Sequence, residues 1–234
     1  MTEDNRPLPA NSWIREGKGL EFERAVFFTD AVFAIALTLL IVGIAIPELA
    51  EATREPSTML DALGDMFPKF VSFFIGFVLI GRYWMAHHVM FGQLRAINQR
   101  LIGINLVYLA FVAFLPFPVG LVGEYEENPV SVLLLAACLA TISTLEVVEF
   151  HYAYRKGLLA RDIPDSAYRW AVAASLVPVG VFLVTSPLAF VSSTLCLMSW
   201  LVSIPISTLL EHKAPDEAGA FSIGSQVHDG GGSK

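Results

Sequence analysis

Charge is what this chain has little of. Asp, Glu, Lys and Arg together make up 16% of its 234 residues, where a soluble globular domain carries roughly a quarter. The balance is acidic, at −7, which leaves no basic face for nucleic acid. Cysteine is almost missing: Cys138 and Cys196 lie far apart inside apolar runs, so they read as small buried hydrophobes without a disulfide or metal pattern. There is no Walker A loop, no Gly-rich dinucleotide fingerprint, no HExxH and no CxxC. The first 23 residues contain no short apolar core of the kind a cleaved signal peptide needs. These absences argue against a soluble enzyme, a nucleotide-binding protein and a zinc site.

What fills the chain instead is apolar sequence. Hydrophobic residues make up 55%, and mean hydropathy is +0.60. Residues 24–47 form the first run long enough to cross a bilayer, since a spanning helix needs about 20 residues. Five more follow at about 68–91, 101–122, 130–154, 167–186 and 188–210. The expected fold is an all-α membrane protein of six transmembrane helices. Residues 1–23 form an arm, 24–212 the membrane domain, and 213–234 a Gly- and Ser-rich tail expected to be disordered. Pro47 is expected to close the first helix, Pro68 to open the second, and Thr185–Ser186–Pro187 to turn a tight hairpin between the last two.

Loop charges orient the helices. Arg6, Arg15, Lys18 and Arg24 sit on the arm, Arg95 and Arg100 between helices 2 and 3, and Arg155, Lys156, Arg161 and Arg169 between helices 4 and 5. The alternate connections are acidic, with Glu48, Glu51, Glu55, Asp61 and Asp65 in one and Glu124, Glu126 and Glu127 in the other. By the positive-inside rule both termini face the cytoplasm, in a plasma or inner membrane crossed several times.

Asp30 is the first functional candidate, because a carboxylate inside a spanning helix is costly unless it meets protein or water. It lies six residues in from Arg24, roughly 9 Å at helical rise. His87, His88, Asn105, Glu146 and Glu149 fall near the same depth on three other helices. Such a belt reads as a structural hydrogen-bond network or as a proton relay, and the spacing leaves both open. Adjacent histidines point about 100° apart, so His87 and His88 make a poor metal pair. On helix 1, Ile35, Thr38, Leu39, Val42 and Ile46 share one stripe, extended by Phe28 and Ala31, and Asp30 is turned roughly 140° away from Ile35. Thr29, Ala36 and Gly43 make a small-residue stripe suited to close helix approach. Thr38 can also simply bond back along its own helix.

Arg24-x-x-x-Phe28-Thr29-Asp30-Ala31-Val32-Phe33-Ala34-Ile35 resembles the R-x-x-x-F-S-D signature of the transmembrane protein 175 family of potassium channels, in its bacterial single-repeat branch. Trp84-x-x-His87-His88 and Asn105 with Leu115-Pro116-Phe117 support the likeness, and Thr29 replaces the usual serine. The resemblance implies a homotetramer with helix 1 lining a central pore that passes monovalent cations, K⁺ above all, passively and without a cofactor. Ile35 would be the narrowest ring, Thr38 and Val42 the next layers, and Leu39 would share the lining. Arg24, Phe28, Thr29 and Asp30 would pack against Trp84, His88 and Asn105, anchoring helix 1 behind the pore. Besides other copies of itself, the partners would be lipid and the permeating ion. The competing readings are a proton-coupled transporter using Asp30, His88, Glu146 and Glu149, and, further off, a membrane-embedded enzyme.

Overall fold

The structure, a computed structural model, describes residues 8–9, 11–15, 20–47, 55–203, 206 and 209. Among these residues five helical stretches are long and apolar enough to cross a membrane. They are α1 (Leu20–Val42), α3 (Phe67–Gly92), α4 and α5 joined (Gln99–Phe114 and Pro116–Glu124), α6 (Pro129–Arg155) and α7 (Asp165–Thr185) with the 3-10 turn that extends it. A short α2 (Pro56–Asp65) precedes α3, and α8 (Ser193–Ser199) follows the turn after α7.

Local chemistry sets most of the boundaries. Asn98 and Asn128 cap α4 and α6, accepting from Leu101 N and Val130 N at 2.9 Å each. Pro68 and Pro129 occupy first-turn positions, where a missing N–H costs nothing. Pro116 lacks the N–H that would continue α4 without a break, so the third span carries a seam at Leu115, whose own N–H is shared between Phe111 O and Val112 O.

Three boundaries differ from expectation. α1 stops at Val42, and Gly43 opens a turn before Pro47 is reached, so Ile46 lies beyond the helical stripe. The last two spans do not part at Pro187. The helix tightens into a 3-10 turn over Ser186–Phe190 and breaks at Val191–Ser192, where Ser192 caps α8. The expected sixth span, 188–210, is therefore not a continuous helix in its described part, and most of its end lies outside the described residues. The 213–234 tail lies outside them entirely.

Helices α1, α3, α4, α5 and α6 pack around one core that includes Phe33, Leu40, Ile80, Tyr108, Leu139 and Ile142. Two glycines allow the close approaches. A Cβ on Gly76 would lie 2.6 Å from Val119 Cγ1 and 3.0 Å from Leu40 Cδ2. A Cβ on Gly123 would lie 2.9 Å from Ser72 Cβ and 3.2 Å from the Lys69 Cα. Because backbone cannot swing aside as a side-chain tip can, Gly123→Ala should destabilise the fold by ~1–3 kcal/mol. The check is a lower melting temperature in detergent, and an unchanged one would refute the contact.

The basic connections form more than loops. β1 (Ser12–Ile14), on the arm, pairs antiparallel with β2 (Ala96–Asn98) in the register Ser12 to Asn98 and Ile14 to Ala96. Arg95 N donates to Leu158 O at 2.9 Å, and Ala160 N to Gln93 O at 2.8 Å, which ties in the α6–α7 connection. A second apolar cluster, including Phe22, Phe91, Leu94, Ile97 and Leu158, fills the space beneath. Strands of three residues carry no usable periodicity, so nothing in the sequence announced this cap.

Candidate functional site

α1 presents two unlike faces. Thr29, Phe33, Ala36 and Leu40 are buried against the other helices. On the outward side Ile35 is 57% exposed and Val42 74%, with Leu39 and Thr38 exposed beside them. At about 100° per residue Arg24 and Phe28 fall on the Ile35 side, and both are exposed. The sequence places them, with Asp30, against Trp84, His88 and Asn105, whereas within the subunit both lie exposed on the Ile35 side. Arg24 Nη1 instead meets Glu21 Oε1 at 3.3 Å on the surface, a pair worth little. The Thr38 hydroxyl donates to Ile35 O at 2.8 Å. That bond uses its only hydrogen and leaves oxygen lone pairs on the outward side.

The polar belt divides into two layers. In the outer layer Trp84 Nε1 donates to Asp30 Oδ1 at 2.9 Å, and the His88 ring lies 5.4 Å from the Trp84 ring. The inner layer is buried. Thr29 Oγ1 donates to Ala25 O at 3.0 Å, so it accepts from Asn105 Nδ2 at 2.8 Å. Asn105 Oδ1 is then left to accept from His87 Nε2 at 3.0 Å. A carbonyl can only accept, so the Ala25 end fixes every donor along this chain and puts the His87 proton on Nε2. Asn105 thus meets Thr29 and His87, while Asp30 goes to Trp84.

His87, which the sequence places in the polar belt but not in the set expected to anchor helix 1, is the histidine that joins α3 to α4 and, through Asn105, to α1. A signal for it was present: Ser72, Gly76, Ile80, Tyr83 and His87 follow one helical stripe, and all five are buried. His88 stands one step round with Trp84. The His87 ring stacks on Phe91 at 4.1 Å and Tyr108 at 5.2 Å, and it packs near Phe33. Glu149 comes in from α6, fully buried, with Oε2 3.7 Å from His87 Nε2. Glu146 is only partly buried, one turn deeper. Among the described residues no hydrogen bond links Asp30 or His88 to Glu146 or Glu149, the other two groups of the expected relay.

Between α1, α3 and the arm a cleft of about 100 Å³ is lined by Arg15, Asp30 and His88 at its polar side and reaches Thr29 and His87. Arg15 Nη1 donates to Gly92 O at 2.6 Å, holding the arm against the end of α3. Among the described residues no group of three or more His, Cys, Asp or Glu could hold a metal ion.

The segment that supplies α1, α3 and α4 carries the family match. Residues 24–116 match the family model described as the endosomal/lysosomal potassium channel TMEM175. Over that segment the chain is similar to the TMEM175 family. It is 35% identical over 105 residues to a potassium channel of Streptomyces collinus, a match covering 45% of this chain and 49% of that protein. The match thus spans about half the length of that relative. It is 29% identical over 177 residues to a potassium channel of Chamaesiphon minutus, covering 74% of this chain and 86% of the other. It is 32% identical over 114 residues to the human endosomal/lysosomal proton channel TMEM175, covering 47% and 23%. The crystal structure of a lysosomal potassium-selective channel TMEM175 homolog from Chamaesiphon minutus superposes with a TM-score of 0.65 at 24% identity, over 82% of this chain and 97% of that one. The fold is shared with that structure.

Proposed function

We propose that this chain is a passive, potassium-permeable channel subunit whose pore is lined by the outward face of α1. The observation that carries the reading is the contrast across α1. One face is pinned by buried hydrogen bonds through Thr29, while Ile35, Thr38, Leu39 and Val42 are left uncovered by the chain's own helices. One helix cannot surround an ion. Four copies around an axis would turn the uncovered stripe inward, with Ile35 as an aliphatic ring that gates by dewetting and Thr38 oxygens on its flank. The names of the Streptomyces and Chamaesiphon relatives support K⁺ as the permeant ion. No cofactor is needed for such conduction.

The basic connections and the arm gather at one end of the bundle, with the acidic 125–128 turn and the Lys69–Glu124 pair at the other. With the positive end inside, the termini are cytoplasmic, the membrane is a cell or inner membrane, and the acidic end draws cations to the outer mouth.

The test is the purified protein in K⁺-loaded liposomes. Expected are K⁺ efflux that needs no proton gradient and a cross-linked tetramer. Efflux that stops when the proton gradient is collapsed would overturn the channel reading in favour of coupled transport.

A further inference from the structure

Among the described residues, Glu149 is the buried group that the pore reading leaves without a task. Its side chain is fully buried, and neither carboxyl oxygen accepts a hydrogen bond. The Tyr108 hydroxyl, also fully buried and within electrostatic reach of Glu149, is unpartnered as well. An ionised carboxylate in such a place is costly unless a donor turns to it. The donor at hand is His87 Nε2–H, which stands 3.0 Å from Asn105 Oδ1 and 3.7 Å from Glu149 Oε2. One N–H therefore lies between two acceptors that belong to different helices.

We propose that Glu149 and His87 form a proton-binding site inside the subunit, away from the pore face, whose occupancy sets how firmly α1 is seated. With the carboxyl protonated, His87 Nε2–H stays on Asn105, and Asn105 stays aimed at Thr29 of α1. When the carboxyl O–H breaks and its proton leaves to solvent, the negative oxygen draws Nε2–H from Asn105, and the tie to Thr29 loosens. His87 lines the cleft that runs to Arg15 and His88, which is the route by which the proton exchanges. The proton here is a ligand of the bundle and does not travel with the permeating ion.

The ionisable groups around the site come from every element packed on it. On α6 they are Glu146 and, toward the helix end, His151, which is bonded to Tyr168 of α7. From α3 they are His87 and Tyr83, with Arg82 in reach of Glu146, and from α4 Tyr108. Asp30 of α1 is bonded to Trp84 instead. Tyr83 already bonds Leu139 O and Ser143, and the Tyr108 hydroxyl holds no other group, so His87 is the donor whose change of partner would reach Asn105 and α1.

This inference deepens the channel reading, and its test does not depend on conduction. Infrared difference spectra of the purified protein against Glu149→Gln, taken across the pH range in which the protein stays folded, should show a protonated carboxyl band that fades as pH rises. Hydrogen-exchange protection in α1 around Thr29, corrected for intrinsic rates, should fall about fivefold over the same range, the change one net hydrogen bond makes in an opening equilibrium. Glu149→Gln should remove that pH dependence. Thr29→Val should keep the carboxyl band and lose the pH dependence of α1. A band that does not titrate, or α1 protection equally pH-dependent in Glu149→Gln, overturns the proposal. A titrating band with coupled α1 protection in a protein that passes no K⁺ leaves this site standing and removes the channel reading.

Discussion

Replacing Ile35 with Asn should raise resting K⁺ efflux from liposomes about tenfold or more, the effect of lowering the barrier by ~1.4 kcal/mol. It should also weaken discrimination against Na⁺. An aliphatic ring narrows a pore and also sheds water from it, so an ion must surrender hydration to pass. A carboxamide at the same depth replaces part of that hydration and keeps the constriction wet. Because Ile35 is 57% exposed in the subunit, the change removes little packing, and the melting temperature should hardly move. That split is the useful part of the measurement. A large change in flux with unchanged stability places Ile35 in the pore, whereas unchanged flux would remove it from there. Val42→Asn, two turns further along the same stripe, should act in the same direction with a smaller effect.

Asn105→Leu should do the reverse, with a large loss of stability and a loss of flux that follows from it. Asn105 gives one buried hydrogen bond to Thr29 and takes one from His87. Leucine fills similar space and removes both bonds, leaving Glu149 Oε2, 3.7 Å away, as the acceptor still in reach of the His87 N–H among Phe33, Phe91 and Tyr108. Two lost buried hydrogen bonds between helices cost ~2–3 kcal/mol. Asp30→Asn should cost ~1 kcal/mol or less, since its bond to Trp84 is exposed and an amide oxygen can still accept it. Thermal unfolding of the two variants in one detergent ranks them. If Asp30→Asn proves the more damaging, the outer layer holds α1 and the inner layer does not.

That ranking runs against what the sequence first suggests. Asp30 stands out in an apolar run because charge in a membrane helix is rare, and rarity drew attention to α1. Rarity does not say where a side chain's partner is. The 140° between Asp30 and Ile35 was computable from helical pitch, and it separated the carboxylate from the outward stripe. The same arithmetic, applied to Arg24 and Phe28, puts them with Ile35 and away from Asp30. His87 was readable too, from its place on the Ser72–Gly76–Ile80–Tyr83 stripe, once buried faces are followed by small residues as well as by hydropathy.

Sequence alone determined five of the six expected apolar spans, the charge asymmetry of their connections, and the stripe on α1. These follow from composition, spacing and helical pitch, which are local properties. The tertiary structure decided which groups meet: Asn105 with Thr29 and His87, Asp30 with Trp84, and Glu149 beside His87 with no donor of its own. It also decided that the basic arm and connections weave into a capped end, and that α1 stops at Val42. Those outcomes depend on how helices rotate and approach, which close contacts such as Gly123 on Lys69 set across more than fifty residues of chain. Helical spacing places a side chain on a face, and only packing supplies its partner.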